Sequence, residues 1–380
     1  MNANLQTTVG KSIEPIQARE NSAFYAALNQ LRDWEIGAHQ LSRVSVDSDG
    51  TLQLEAERAH SFEWFYYTGG KLRRADPRQD RKIPLLKNGL EHALPGAMRV
   101  VSYRPGRRVV LTSTGSGDKS IIKGFRKGRG SDAVKHHQIA LRACEKGGLW
   151  VPNLLNHDSG RDFVAMERQA GSAPAISAKN TSTWASIGAG LRSFQDSCVC
   201  DELKVFGVGD ELAVLDELAR RFQLCALDLP PGWQAGRESL ESLSASLPRK
   251  QIAASHRDLH DGQFLVDGHR LHVIDFDLLC RADTALDAGN LTAHLALRDL
   301  QRDPESSFSD SRACGEAFLS GLERRFDNGF GRRLSFYQAT TFYRLALLYT
   351  LRPRWQHLAP ALIKLGQLQI AKAKADVHQG

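Results

Sequence analysis

The sequence predicts an α+β protein of two lobes, a small antiparallel sheet followed by a larger, mostly helical region, with an N-terminal extension ahead of both. Three observations carry the prediction. Between residues 98 and 125, short apolar and β-branched runs alternate with turn residues. After Gly171, apolar residues recur at helical spacing over 183–226 and 284–376, as in Leu212, Leu215, Leu218, Ala219 and Phe222. Inside the helical region, Gln263-Phe264-Leu265-Val266 and Leu271-His272-Val273-Ile274 flank Asp267-Gly268-His269-Arg270, and Asp-Gly marks a tight hairpin turn. The expected divisions are 1–94 for the extension, 95–170 for the sheet lobe and 171–380 for the helical lobe.

Each element has a local reason. In the extension, Thr51–Glu55 alternates like a strand, Phe65–Leu72 reads as a hairpin around Gly69-Gly70, and Ile83–Leu94 as a short helix ended by Pro95-Gly96. The extension is expected to pack on the sheet lobe or to join an oligomer. In that lobe, Met98–Tyr103, Val109–Thr112 and Ser120–Phe125 read as strands, the first two joined by Arg104-Pro105-Gly106-Arg107-Arg108. Thr114–Ser120 is glycine-rich but lacks the Gly-x4-Gly-Lys-Ser/Thr spacing that wraps phosphates, and it joins two strands, so it reads as a hairpin turn. Ser131-Asp132 caps a helix expected over Ala133–Lys146, whose His136 and His137 read as a partly exposed face. Pro230-Pro231-Gly232 breaks the helical region. Trp184, Trp233, Tyr337, Tyr343 and Trp355 read as core more readily than as pocket walls.

The chemistry concentrates in Ser255–Asp277. Asp258 lies on a loop before the 263–274 hairpin and Asp275 ends its second strand, so both carboxylates emerge at one end. That set suits phosphoryl transfer from ATP: Asp258 to orient a hydroxyl and take its proton, Gln263 and Asp275 to offer hard oxygen ligands to Mg²⁺. Asp277 reads equally as a substrate or metal contact and as a solvated carboxylate.

His256-Arg257-Asp258-Leu259-His260-Asp261-Gly262-Gln263, then Ile274-Asp275-Phe276-Asp277, then Ala282–Leu291 resemble, in order, three linked motifs of the aminoglycoside phosphotransferase and choline kinase superfamily. The resemblance covers roughly residues 95 to 350 and is most specific around 255–295. It implies a bilobal protein-kinase-like fold using ATP and Mg²⁺. It also implies that Lys123 grips the phosphates, that Met166 floors the adenine pocket, a place for which a core methionine is the equal alternative, and that backbone groups near Glu167 and Arg168 read the adenine edge. The family's helix glutamate, which pairs with the lysine, has no counterpart here; Gln138, Glu145 or no residue is left for that place. Asp287 is expected to cap its helix or to brace the catalytic loop. Gln263 stands for the family's Asn, and Arg257 for its Gly. His260 and the short Leu278–Asp283 connection, with no Ala-Pro-Glu signature, favour a small-molecule acceptor over a protein. A sugar, amino sugar, amino alcohol or antibiotic all fit. A cationic acceptor would call on carboxylates such as Glu238, Glu241, Asp299, Asp303 and Glu305. The alternative is a catalytically weak member acting as a binding protein.

Composition agrees. At 380 residues and 42% hydrophobic content the chain can bury sizeable cores. No apolar run reaches the roughly 20 residues of a bilayer span and MNANLQTTVG has no secretory apolar core, so a cytoplasmic protein without membrane contact is expected. The net charge of +7 comes without a basic stripe interleaved with aromatics, which speaks against nucleic acid; Arg104, Arg107, Arg108 and Lys123 are instead expected to face a triphosphate. Of the six cysteines only Cys198-x-Cys200 is a close pair, too little for zinc. Oligomeric state is not legible.

Overall fold

A computed structural model describes residues 22–32, 36, 40–58, 61–87, 98–114, 120–144, 148–248, 251–323, 327 and 329–375. Glu145, Pro95-Gly96 and most of the 114–120 turn lie outside the described residues.

The extension is a folded unit. Helix α1 (Ala23–Arg32) packs on a four-stranded antiparallel sheet of β1 (Leu41–Val46), β2 (Leu52–Arg58), β3 (Ser61–Thr68) and β4 (Lys71–Ala75), in that order. The turn at Gly69-Gly70 is where the sequence puts it. The helix expected over Ile83–Leu94 is, in its described part, only a 3-10 turn at Pro84–Leu86. Leu85 and Leu86 are both 1% exposed, drawn down onto the next sheet.

That next sheet is the N-lobe: β5 (Met98–Arg104), β6 (Arg108–Ser113), β7 (Ser120–Phe125), β9 (Leu154–Asp158) and β10 (Phe163–Glu167), ordered β5-β6-β7-β10-β9 and antiparallel throughout. Strand β7 shows how both faces are used. Ile121 and Phe125 join Val164 and Met166 against Ala133 and Val134 of α2 (Gly130–Cys144). Ile122, on the opposite face, joins Val109, Leu111 and Ala165 against Trp64, Ala75, Ile83, Leu85 and Leu86 of the extension. Gly124 permits that contact, because a Cβ there would stand 2.7 Å from Leu85 Cδ2. The extension therefore covers the outer face of the N-lobe.

It also reaches the helical C-lobe. There, α3 (Thr181–Ser197), α4 (Val208–Leu224), α5 (Trp233–Ser244), α6 (Ala285–Arg302), α7 (Ser309–Leu322), α8 (Phe330–Thr350) and α9 (Ala359–Ala375) enclose the main core. The Val44 N–H donates to the Leu351 carbonyl at 3.0 Å, and Arg220 and Arg221 of α4 donate to the Ser48 and Val46 carbonyls. Trp184, Trp233, Tyr337 and Tyr343 are at most 1% exposed and belong to this core, as expected; Trp355 packs half-buried against it.

Four short strands carry the site: β11 (Ile252–Ser255) pairs with β14 (Cys280–Asp283), and β12 (Phe264–Asp267) with β13 (Arg270–Val273), beside which β8 (Leu149–Trp150) runs parallel. The lobes join at Gly171, whose φ of +103° and whose approach to Val266, 2.5 Å from a would-be Cβ to the carbonyl oxygen, admit only glycine. Ser172 then exchanges backbone hydrogen bonds with Val266.

Candidate active site

The catalytic-loop segment is held by backbone bonds from one buried carboxylate. Asp287, in the first turn of α6 and 0% exposed, accepts the N–H groups of His256 and Arg257, each at 2.7 Å. Of the two roles expected for it, this is the brace. Asn290, one turn on, donates to the Arg257 carbonyl at 2.8 Å. Between these clamps Arg257 adopts φ +70°, a left-handed conformation costing a non-glycine residue about 1–2 kcal/mol. This is the position where the family carries Gly. Here the guanidinium lies 3.8 Å from the centre of the Phe206 ring, a contact glycine would lack. His256 is buried and donates from Nε2 to the Ile274 carbonyl at 2.9 Å, joining the loop to the strand that ends in Asp275.

Asp258 follows, exposed to solvent and without a hydrogen bond among the described residues. It is the one exposed carboxylate of the loop. Asp275, at φ +68°, instead meets Lys123 Nζ at 2.8 Å, while Asp277 meets Lys123 at 3.1 Å and Arg108 at 2.8 Å. Burial alone would raise the pKa of Asp275, but Lys123 and Arg108 override it and hold this carboxyl well below the usual range. Lys123 is thus partnered across the lobes rather than by its helix. Gln138 is exposed. His136 of α2 takes the nearby position and donates to the Asp277 carbonyl at 3.2 Å; His137 is buried rather than exposed, donating to the Pro152 carbonyl at 2.7 Å.

Gln263 is brought beside Asp275, since its carbonyl accepts the Ile274 N–H at 3.0 Å. Its side chain has another occupation, 3.2 Å from His260 Nε2. His260 Nδ1 accepts the Gly262 N–H at 3.0 Å, and burial pushes its pKa down, so the neutral ring carries its proton on Nε2. The atom placed there is the Gln263 amide nitrogen, and exchanging the two ends of the amide would put its oxygen against that proton. Asp277 touches the same ammonium as Asp275. Among the described residues no group of three or more His, Cys, Asp or Glu can hold a metal. Two hard carboxylates nevertheless fit Mg²⁺, an ion that draws its other ligands from phosphate and water.

The hinge strand places Met166 in the apolar layer below α2, 7% exposed. The Glu167 N–H is taken by the Asn153 carbonyl at 2.9 Å, and Arg168 beyond it is exposed. The Arg104–Arg108 turn departs from expectation. Asp80 accepts the Gly106 N–H at 2.6 Å and the Tyr103 hydroxyl at 2.7 Å, and Arg107 turns outward to Asp47. Arg104 and Arg107 both line the cavity beside β1, while Arg108 reaches Asp277.

The model of the phosphotransferase enzyme family matches residues 105–322, more than half of the chain. The chain belongs to that family. This phosphotransferase is similar in fold to an amicoumacin kinase solved with AMP-PNP and Ca²⁺, at 15% identity over 77% of this chain and 94% of that one, with a TM-score of 0.56. Choline kinase LicA from Streptococcus pneumoniae is similar at 14% identity over 76% of this chain and 99% of that one, with a TM-score of 0.50. At such identity these neighbours establish the kinase-like fold alone. No curated protein matches the phosphotransferase in sequence. Among the described residues, no helix is long and apolar enough to cross a membrane.

Proposed function

We propose that the chain moves the γ-phosphate of ATP to a hydroxyl of a small molecule. The observation that carries the reading is the convergence of Lys123, Arg108, Asp275 and Asp277 in one ion-pair cluster, with Asp258 left free beside it. Lys123 and Arg108 would exchange their carboxylate partners for phosphate oxygens when ATP enters. Asp275, joined by Asp277 and, after its amide turns, by Gln263, would hold Mg²⁺. When bound, the ion neutralises charge on the transferring phosphate. Asp258 orients the acceptor hydroxyl and takes its proton, while Met166 and the backbone at Glu167 and Arg168 seat the adenine. The same reading divides the chain at 94 and 170.

The test is ATP-dependent phosphorylation across a panel of hydroxylated small molecules. Asp258→Asn should lower turnover about 10³-fold, the usual range for a general base, and Asp275→Ala should abolish it. Turnover that survives Asp258→Asn removes the base assignment. The contact of the Gln263 amide with His260 favours a second reading, a weak enzyme that chiefly binds nucleotide; its mark would be tight Mg-ATP binding without turnover of any acceptor.

A further inference from the structure

We propose that the acceptor is an alcohol already carrying an anionic group, a phosphate or a carboxylate, held by Arg43, Arg104 and Arg352 beside Asp258. The inference rests on the phosphotransferase reading and extends it to the substrate.

All three arginines line one cavity of about 950 Å³ between β1, α4, α8 and the segment after Asp275. The Val44–Leu351 backbone bond, 3.0 Å long, seats Arg43 next to Arg352. Arg104 lies across the β5–β6 hairpin from Arg108, which itself reaches Asp277. Arg257, next to Asp258 on the loop, and Asp277 line the same cavity as Arg104, so it opens toward the reacting end of the cleft.

Charge in this wall is unbalanced. Arg104 and Arg352 form no ion pair with a carboxylate among the described residues; Arg352 lies over the Tyr349 ring, 4.4 Å from its centre. Arg43 is shared with Glu55 at 3.0 Å. Burial first, then Arg108 and Arg43, push Arg104 down to about 10, and burial with Arg43 and Arg298 lowers Arg352. An anion placed among them relieves that repulsion. Of the acidic side chains in the same wall, Asp47 pairs with Arg107, Asp132 with Arg129, Glu202 with Lys135, Glu217 with Arg220 and Arg221, and Asp277 with Lys123, while Asp210 accepts the Gly207 N–H.

The carboxylates that a cationic acceptor would need lie elsewhere. Glu241 pairs with Arg237, Asp299 with Arg302, and Asp303 accepts the Glu305 N–H; none of these, nor Glu238, lines the cavity. Arg43, Arg104 and Arg352 all fall outside the family-matched residues 105–322. Arg104 alone would suit a nucleotide phosphate equally well. Arg43 and Arg352, on the extension and the end of α8, have no such use.

The experiment is calorimetric titration of the full chain, saturated with AMP-PNP and Mg²⁺, with glucose 6-phosphate, gluconate, glucose and glucosamine. At least one of the two anions should bind tenfold or more tighter than glucose, with glucosamine weakest; which anion wins tells phosphate from carboxylate. Arg352→Gln and Arg43→Gln should each weaken that binding at least tenfold, Arg352→Lys less, with AMP-PNP affinity unchanged as the check on folding. Glucose or glucosamine binding as tightly as the anions, or anion binding that survives both Gln substitutions, overturns the proposal while the kinase reading stands. Failure to bind AMP-PNP overturns both.

Discussion

The catalytic loop and the N-terminal extension are held in opposite ways. The loop hangs on short-range backbone bonds from a single helix: Asp287 and Asn290 secure three backbone groups of two adjacent residues. The extension depends on area. Its sheet buries apolar side chains against the N-lobe on one face and joins the core cluster shared with the C-lobe on the other, and few of its polar bonds are buried. One region is specified by directed polar contacts and fails when one is lost; the other is specified by packing and degrades gradually.

Substitutions should separate the two. The largest effect is expected from Asp287→Ala, which strands two N–H groups at about 2 kcal/mol each, roughly 4 kcal/mol in all; denaturant unfolding should show it together with a loss of turnover of about a hundredfold or more. If Asp287→Ala unfolds at the wild-type midpoint, the loop is not held as described. Next is Trp64→Ala, removing a ring stacked edge-on to Tyr103 at 5.5 Å. It should cost about 3 kcal/mol by the usual penalty for emptying an aromatic site and leave kcat within about twofold. A matching loss of kcat would show that the extension acts on the chemistry as well as on stability. Asp47→Ala is smaller. The Asp47–Arg107 pair is partly exposed, so its loss should cost under about 1 kcal/mol, with a severalfold rise in the KM for ATP as the β5–β6 turn loosens. The smallest is a pH effect at Asp327. Hydrogen bonds from Arg333 hold its carboxyl below the ordinary value of 3.8. A depressed folded pKa gives stability that is full above that ordinary value and disappears as pH falls through the folded one. Thermal unfolding scans from pH 5 to pH 3 should therefore show a slightly shallower fall in Tm for Asp327→Asn than for wild type.

The same contrast explains what could be read beforehand. The loop was legible because its determinants sit within one stretch: Asp258, Asp275 and Asp287 are close in sequence and each belongs to a local turn or helix start. The partner of Lys123 was not, because Asp275 lies 152 positions away and the pair forms only once the lobes pack. The contact of the Gln263 amide with His260 was not legible either, since it depends on the turn that brings the Gly262 N–H to His260 Nδ1. The coverage of the N-lobe's outer face left one trace in the sequence, the adjacent apolar pair Ile121-Ile122, which suits a strand packed on both sides. Nothing in the chain near Arg43 or Arg352 announces that they meet; that follows from strand β1 docking at the end of α8.

A lobe linked to its neighbour only through Gly171 would melt independently of it. Here the sheet of residues 41–75 is bonded to both, through Asp47 to the β5–β6 turn and through Val44 to Leu351. The two halves therefore share one melting event, and a calorimeter should record a single endotherm for the whole molecule.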